Sequence, residues 1–185
     1  MNIFALDKSP QKAAEYHCDS HASKMVLEYA QLLSTCHRVL DGTVVIKPSS
    51  TGKTKVKSYE LPDEKRNSVL YRACHVNHPC SKWLREGSAN YEWLWNLYFL
   101  LGQEYTYRYG KVHKSSTLEQ TLAQFPDNIP VTEKVTDFAV ADGVTKGNRP
   151  VSEAVQLYRR YYTEDKAHLL TYTKRKTPEF ICEVN

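Results

Sequence analysis

No apolar run in these 185 residues is long enough to cross a membrane. The longest, Trp93 to Leu101, is broken by Asn96 and covers about half of the roughly 20 residues a helical span needs. Cysteine is sparse: five residues, an odd number, with no Cys-x-x-Cys pair. That spacing argues against a disulfide framework and against a compact zinc knuckle. Cys18 with His21, and Cys74 with His75, His78 and Cys80, come nearest to ligand spacing, but the two groups are far apart in the chain, and no metal is expected. There is no Walker loop, no Rossmann glycine fingerprint and no Gly-x-Ser-x-Gly elbow, so the chemistries that depend on those loops are not indicated and no cofactor is expected. Met1 to Asp7 is too short an apolar stretch for a signal peptide. A cytoplasmic chain with reduced thiols and no membrane partner is the expectation. Internal repeats, low-complexity tracts and a convincing domain boundary are also missing.

What is present is ordinary in bulk and distinctive in detail. A hydrophobic fraction of 41% and a length of 185 residues suit one domain with its own core. The net charge of +4 is mildly basic, which permits a polyanionic partner without demanding one. The chain holds 13 Tyr and 3 Trp, side chains that serve both cores and base-stacking grooves.

The pattern predicts a mainly α fold, a single-domain helical bundle around a central apolar helix, with a small β-hairpin or loop insertion near 43–60. Ile3 to Leu6 reads as a short strand or extended entry. Ser9-Pro10 is a helix start, leading to a helix up to about His17. Asp19 can cap a second helix, or the first continues; either way 20–40 is helical, ended by Asp41-Gly42. Two strand-like runs, Thr43–Ile46 and Val56–Tyr59, flank Pro48-Ser49-Ser50-Thr51-Gly52, and Lys47, Lys53, Lys55 and Lys57 make the insertion basic. It is either a solvated loop or a phosphate-contacting arm. Further helices are expected from Pro62 to about His75, briefly through Trp83, from Ser88 to about Tyr109, after the capping-box sequence Ser116–Glu119, and from Ser152 to Tyr172. The segment from Phe125 to Pro150 reads as irregular. The helix from Ser88 carries Tyr91, Trp93, Leu94, Trp95, Leu97, Tyr98, Phe99, Leu100 and Leu101 on nearly all sides, as a buried helix does.

His21, Lys24, Glu28 and Gln31 are spaced three, four and three apart, so they share a sector of helix about 80° wide. His17 joins them if the helix begins early enough. A histidine, a lysine and a lone carboxylate can tune one another and supply acid–base groups. Two basic groups are candidates to complete a site by holding phosphates. One is Arg108, Lys111, His113 and Lys114, with Tyr109 among them; the other is His78, Lys82 and Arg85, near His75. Tyr91 or Tyr109 is a candidate to stack on an extruded base.

Several stretches, His17-Cys18-Asp19-Ser20-His21 with Lys24, Met25 and Glu28, Asn77-His78-Pro79-Cys80, Asn90–Leu94, Arg108–Ser115 and Tyr158–Tyr162, resemble a family of small helical proteins encoded by bacteriophages. More distantly, Asp19, His21 and Glu28 are similar in spacing to the early helix of pyrimidine-dimer DNA glycosylases of the endonuclease V type. In those enzymes an N-terminal amine attacks the sugar C1′ and a glutamate assists, and the resemblance implies that Glu28 is that glutamate. Those enzymes start at a small residue exposed by Met removal, whereas here the amine is that of Met1; Lys24 is the other amine at hand. The implied function is an enzyme acting on a pyrimidine base in DNA, by N-glycosidic cleavage or a related modification. A non-catalytic phage accessory protein that binds a nucleotide or host protein, and a nucleotide hydrolase or transferase, are the competing readings.

Overall fold

Pro10, with its fixed φ and no N–H to leave unsatisfied, opens the first helix, α1 (Pro10–Tyr16), behind Ser9. In the computed structural model, which describes residues 1–49, 51–141 and 146–182, the chain is 53% helical. His17 and Cys18 are extended, so the helix breaks there and restarts as α2 (Asp19–Asp41). Asp19 is therefore the first residue of α2 rather than its cap, a place where a carboxylate complements the helix dipole. Val26, Tyr29, Leu32, Leu33 and Cys36 of α2 are buried, as the spacing required.

Strands β1 (Thr43–Pro48) and β2 (Lys55–Glu60) pair antiparallel from Thr43↔Glu60 to Pro48↔Lys55, in the segment where a hairpin was expected. Helix α3 is short (Glu64–Val69), capped by Asp63, which accepts from the Arg66 N–H. It does not reach His75 as its sequence suggested. The guanidinium of Arg38 donates to the carbonyls of Asn67, Leu70 and Tyr71, and the chain leaves the helix to present them. Helices α4 (Pro79–Leu84) and α5 (Ser88–Tyr109) follow. Gly110, at φ 68°, ends α5 in the left-handed conformation that glycine adopts without a Cβ penalty.

The capping box proposed for Ser116–Glu119 is replaced by a 3₁₀ turn, Lys114–Leu118, where the His113 ring accepts from the Ser115 N–H. Helix α6 (Glu119–Leu122) comes next. The stretch expected to be irregular contains a second hairpin, β3 (Phe138–Ala141) with β4 (Lys146–Arg149). Phe138, Ala139 and Val140 are buried because β3 packs between α4 and α7 (Val151–Glu164). That stabilisation is tertiary and leaves no local signal. Helix α7 stops short of Tyr172: a 3₁₀ turn at Ala167–Leu169 follows, and the Thr171 carbonyl accepts from the Asp19 N–H. Helix α8 (Glu179–Cys182) is the last described element.

Helix α5 packs on α1, α2 and α4, burying Tyr91, Leu94, Leu97, Tyr98 and Leu101. Among the described residues, no helix is long and apolar enough to cross a membrane.

Candidate functional site

The N-terminal run Ile3-Phe4-Ala5-Leu6 is fully buried. Burying a large apolar side chain stabilises by about 1.5–3 kcal/mol, so this run is a firm anchor. Its backbone is held too: the Phe4 N–H donates to the Tyr29 hydroxyl, Arg159 donates to the Leu6 carbonyl, and the Asn2 amide donates to the Ala141 carbonyl. The Phe4 ring stacks on His21 at 4.8 Å and meets Tyr158, Tyr161 and Tyr162 within 6.2 Å. The consequence is the position of Met1. Its amine lies 3.7 Å from one Glu28 carboxylate oxygen, and Lys24 Nζ lies 3.4 Å from the other.

The carboxylate and the two amines line a cavity of about 200 Å³. His21, Phe4, Tyr161 and Lys166 contribute further walls. Lys166 lies over the Tyr161 ring at 4.9 Å, so α7 and the turn after it bring an aromatic face and a third cation opposite α2. Burial, and then the charges of Lys24 and Lys166, push the His21 imidazole down to about 4. It is neutral at physiological pH, and a 2.5 Å hydrogen bond joins its Nδ1 to the Tyr162 hydroxyl. A larger cavity of about 560 Å³ lies elsewhere, under the first hairpin; its amine–carboxylate pair, Lys47 with Glu60, is exposed on both sides.

His17 faces away from the stripe expected for it. Its Nδ1 is 2.6 Å from the Ala13 carbonyl and its Nε2 2.9 Å from the Tyr29 hydroxyl. A carbonyl can only accept, so Nδ1 carries the proton and Tyr29 donates to Nε2. Burial lowers this ring to about 3, so it is a neutral core group that orients Tyr29, and through Tyr29 the N-terminal run.

Of the proposed phosphate binders, His78 comes closest to the site. Burial, then the Met1 amine and His75, lower its pKa against the pull of Glu28, so the ring senses both members of the amine–carboxylate pair. Its Nδ1 accepts from the Cys80 N–H and caps α4. Arg85 donates to Ser81 and to the Val76 carbonyl, closing the loop before α4, while Lys82 is exposed.

The cluster after α5 lies elsewhere. Arg108 is buried and donates to Glu104, Asp19 and the carbonyls of His17 and Glu15; every donor bond holds the fold, and the phosphate role assigned to it is withdrawn. Tyr109 donates to the Asp19 carbonyl, and His113 lies against the Ser23 backbone. Asp19 and Ser23 sit roughly 150° around α2 from the Glu28 stripe, so Lys111, His113 and Lys114 are on the other side of the helix. Tyr91 is 1% exposed. It accepts from His37 and donates to the Leu122 carbonyl, so its ring is core and cannot stack on a base.

Met1, Tyr161 and Lys166 are the site residues that sequence periodicity does not reveal. Tyr161 falls in the tyrosine-rich stretch Tyr158–Tyr162; nothing in the sequence singles out Lys166. Among the described residues, no group of three or more His, Cys, Asp or Glu side chains is placed to hold a metal ion. No family model, curated protein or solved structure matches this chain significantly.

Proposed function

We propose that the protein acts on a pyrimidine nucleotide unit of DNA through an amine nucleophile held beside Glu28, cleaving or remodelling the N-glycosidic bond. The observation that carries this reading is the carboxylate of Glu28 set between two amines, those of Met1 and Lys24, in a cavity with a neutral histidine. An uncharged amine attacks the sugar C1′, forming a C1′–N bond as the bond to the base breaks and the base takes up a proton. Glu28 stabilises the cationic sugar and accepts the proton that the amine gives up. Opening of the sugar ring leaves an imine, which water hydrolyses to free the amine.

Of the two amines, that of Met1 is the better placed. Its side chain is 6% exposed, whereas that of Lys24 is 66% exposed, and α-amines as a class lose their proton more readily than lysine side chains. Lys24 and Lys166 then serve as phosphate holders, and Tyr161 supplies the flat face against which an extruded base can stack. The same reading takes the chain as a single helical bundle built around α5, working in the cytoplasm of an infected cell.

Borohydride reduction in the presence of an oligonucleotide with an abasic aldehyde traps the imine. The expected result is a covalent adduct that peptide mapping assigns to Met1. Glu28→Gln, which keeps shape and hydrogen bonding, is expected to lower trapping about 10²- to 10⁴-fold with the thermal midpoint nearly unchanged. No adduct, together with saturable binding of a free nucleotide, would instead favour the non-catalytic binder, a reading that the excess of cations over carboxylate in the cavity also allows.

A further inference from the structure

The larger cavity, about 560 Å³, is roofed by the β1–β2 hairpin and floored by α2 and the segment after α3. Its lining holds four cations, Arg38, Lys47, Lys57 and Arg72, against one carboxylate, Glu60. Glu60 is already paired with Lys47. Arg38 is buried, and its five hydrogen bonds all go to uncharged oxygens: the carbonyls of Tyr59, Asn67, Leu70 and Tyr71, and the side-chain oxygen of Asn67. It makes no ion pair among the described residues, so its charge is solvated by dipoles but not neutralised. Arg72 is near enough to lower the Arg38 pKa, after burial itself and against the pull of Glu60. Lys57 and Arg72 are exposed and have no ion-pair partner among the described residues. The groove therefore presents unneutralised positive charge, a need that a polyanion meets.

Its placement says which polyanion. Glu28, Thr35 and Arg38 share one face of α2 at about 100° per residue, and Arg38 lies about 15 Å along the helix from Glu28. The segment between the two cavities is continuous: Ala73 lines the larger, and the next residue, Cys74, is bonded to Thr35 and touches Met1, its Sγ 4.0 Å from the Met1 Sδ. About 15 Å corresponds to four or five phosphate steps along a duplex strand at about 3.4 Å each. A mononucleotide held at Glu28 cannot span that distance.

We infer that the groove beneath the β1–β2 hairpin is a phosphodiester-binding track, holding a nucleic-acid strand by Lys57 and Arg72 while one of its nucleotides enters the Glu28 cavity. The inference deepens the reading of the Glu28 site as one for DNA and rests on it for the second clause, but binding by the groove is measured separately from chemistry. It makes the substrate a polymer and excludes a free nucleotide as the unit recognised.

The test is fluorescence anisotropy with a labelled 20-nucleotide oligodeoxynucleotide, single-stranded and duplex, across a salt series. The proteins are the unaltered chain, the double variant Lys57→Glu/Arg72→Glu, and a charge-matched control, Lys12→Glu/Lys134→Glu, at exposed positions outside both cavities. Lys57 and Arg72 are exposed as well, and an unchanged thermal midpoint verifies the fold. The double variant is expected to bind at least tenfold more weakly and to lose about two phosphate contacts, lowering the log–log salt slope by roughly 1.4–1.8. The charge-matched Lys12→Glu/Lys134→Glu is expected to bind far more nearly as the unaltered chain does.

Equal binding by the double variant and the unaltered chain overturns the track, as does the absence of binding to either oligonucleotide. Displacement of the bound DNA by polyglutamate at equal charge concentration as readily as by unlabelled DNA also overturns it, in favour of an acidic protein surface. Failure of imine trapping with salt-dependent, Lys57- and Arg72-dependent binding intact defeats the amine chemistry and leaves the track standing.

Discussion

At the scale of single residues, burial decides role more than residue type does. Arg108 and Lys24 are both cations within reach of carboxylates, yet one is part of the core and the other stands at the rim of a cavity. Arg108 bonds Glu104 at 2.6 Å and Asp19 at 3.0 Å, and Glu104 also binds Arg175 at 2.8 Å. Burial alone would raise the Glu104 carboxyl, but the hydrogen bonds from Arg175 and Arg108 outweigh it and hold the group below the usual carboxylate range. Breaking such a buried network by removing one partner leaves charge without compensation. Arg108→Met is expected to cost about 3 kcal/mol, or a fall in thermal midpoint of roughly 10 °C, measured by calorimetry. Lys24→Ala, at an exposed position, is expected to leave that midpoint within about 2 °C and to alter only substrate handling. If Lys24→Ala abolishes imine trapping while acetylation of the Met1 amine spares it, the nucleophile is Lys24 and the preference for Met1 is reversed.

Helices and hairpins end where side chains elsewhere in the chain claim their carbonyls, or where one residue permits the turn. The C-terminus of α5 depends on Gly110 at φ 68°. Gly110→Ala is expected to cost about 1–2 kcal/mol, because the left-handed conformation is strained with a Cβ even in open space, and to lower the thermal midpoint by several degrees. Gly42 between α2 and β1 is a different case. Its φ is ordinary, but a Cβ there would collide with the Arg38 carbonyl. Gly42→Ala is therefore expected to shift the hairpin against α2, weakening oligonucleotide binding more than it weakens imine trapping.

At the scale of the whole molecule, three buried neutral histidines make the fold acid-sensitive. Burial is the leading cause in each: His17 falls to about 3, and His21 and His37 to about 4. An unfolded histidine titrates near 6.5, so between about 6.5 and 4 the unfolded chain binds more protons than the folded one. Stability accordingly falls as pH drops through that window. Glu104 and Asp41 are held low by their hydrogen bonds. They add a loss of the same sign at more acid pH, starting as the pH enters the ordinary carboxylate range, where the unfolded chain takes up those protons first. Urea unfolding midpoints are expected to be flat from pH 8 to 7 and to decline steadily from about 6.5 to 4. A midpoint unchanged across that lower range would mean the three rings are not buried neutral groups.

The local elements were legible in the sequence because their causes are local. The spacing of Val26, Tyr29, Leu33 and Cys36 placed α2, the apolar girdle of Trp93, Leu94 and Leu97 placed α5, and the paired β-rich runs around Pro48 to Gly52 placed the first hairpin. The same periodicity put His21, Lys24 and Glu28 on one face, since that follows from 100° per residue alone. What lies opposite that face is set by contacts between distant segments, which no periodicity encodes. The anchoring of Ile3 to Leu6 brings the Met1 amine to Glu28, and the end of α7 carries Tyr161 and Lys166 to the same cavity. Burial of Arg108 and Tyr91, and the packing of β3 between α4 and α7, were likewise decided in the tertiary structure. Desolvation turned two residues of binding type into core, and an apolar layer stabilised a hairpin whose own sequence reads as irregular.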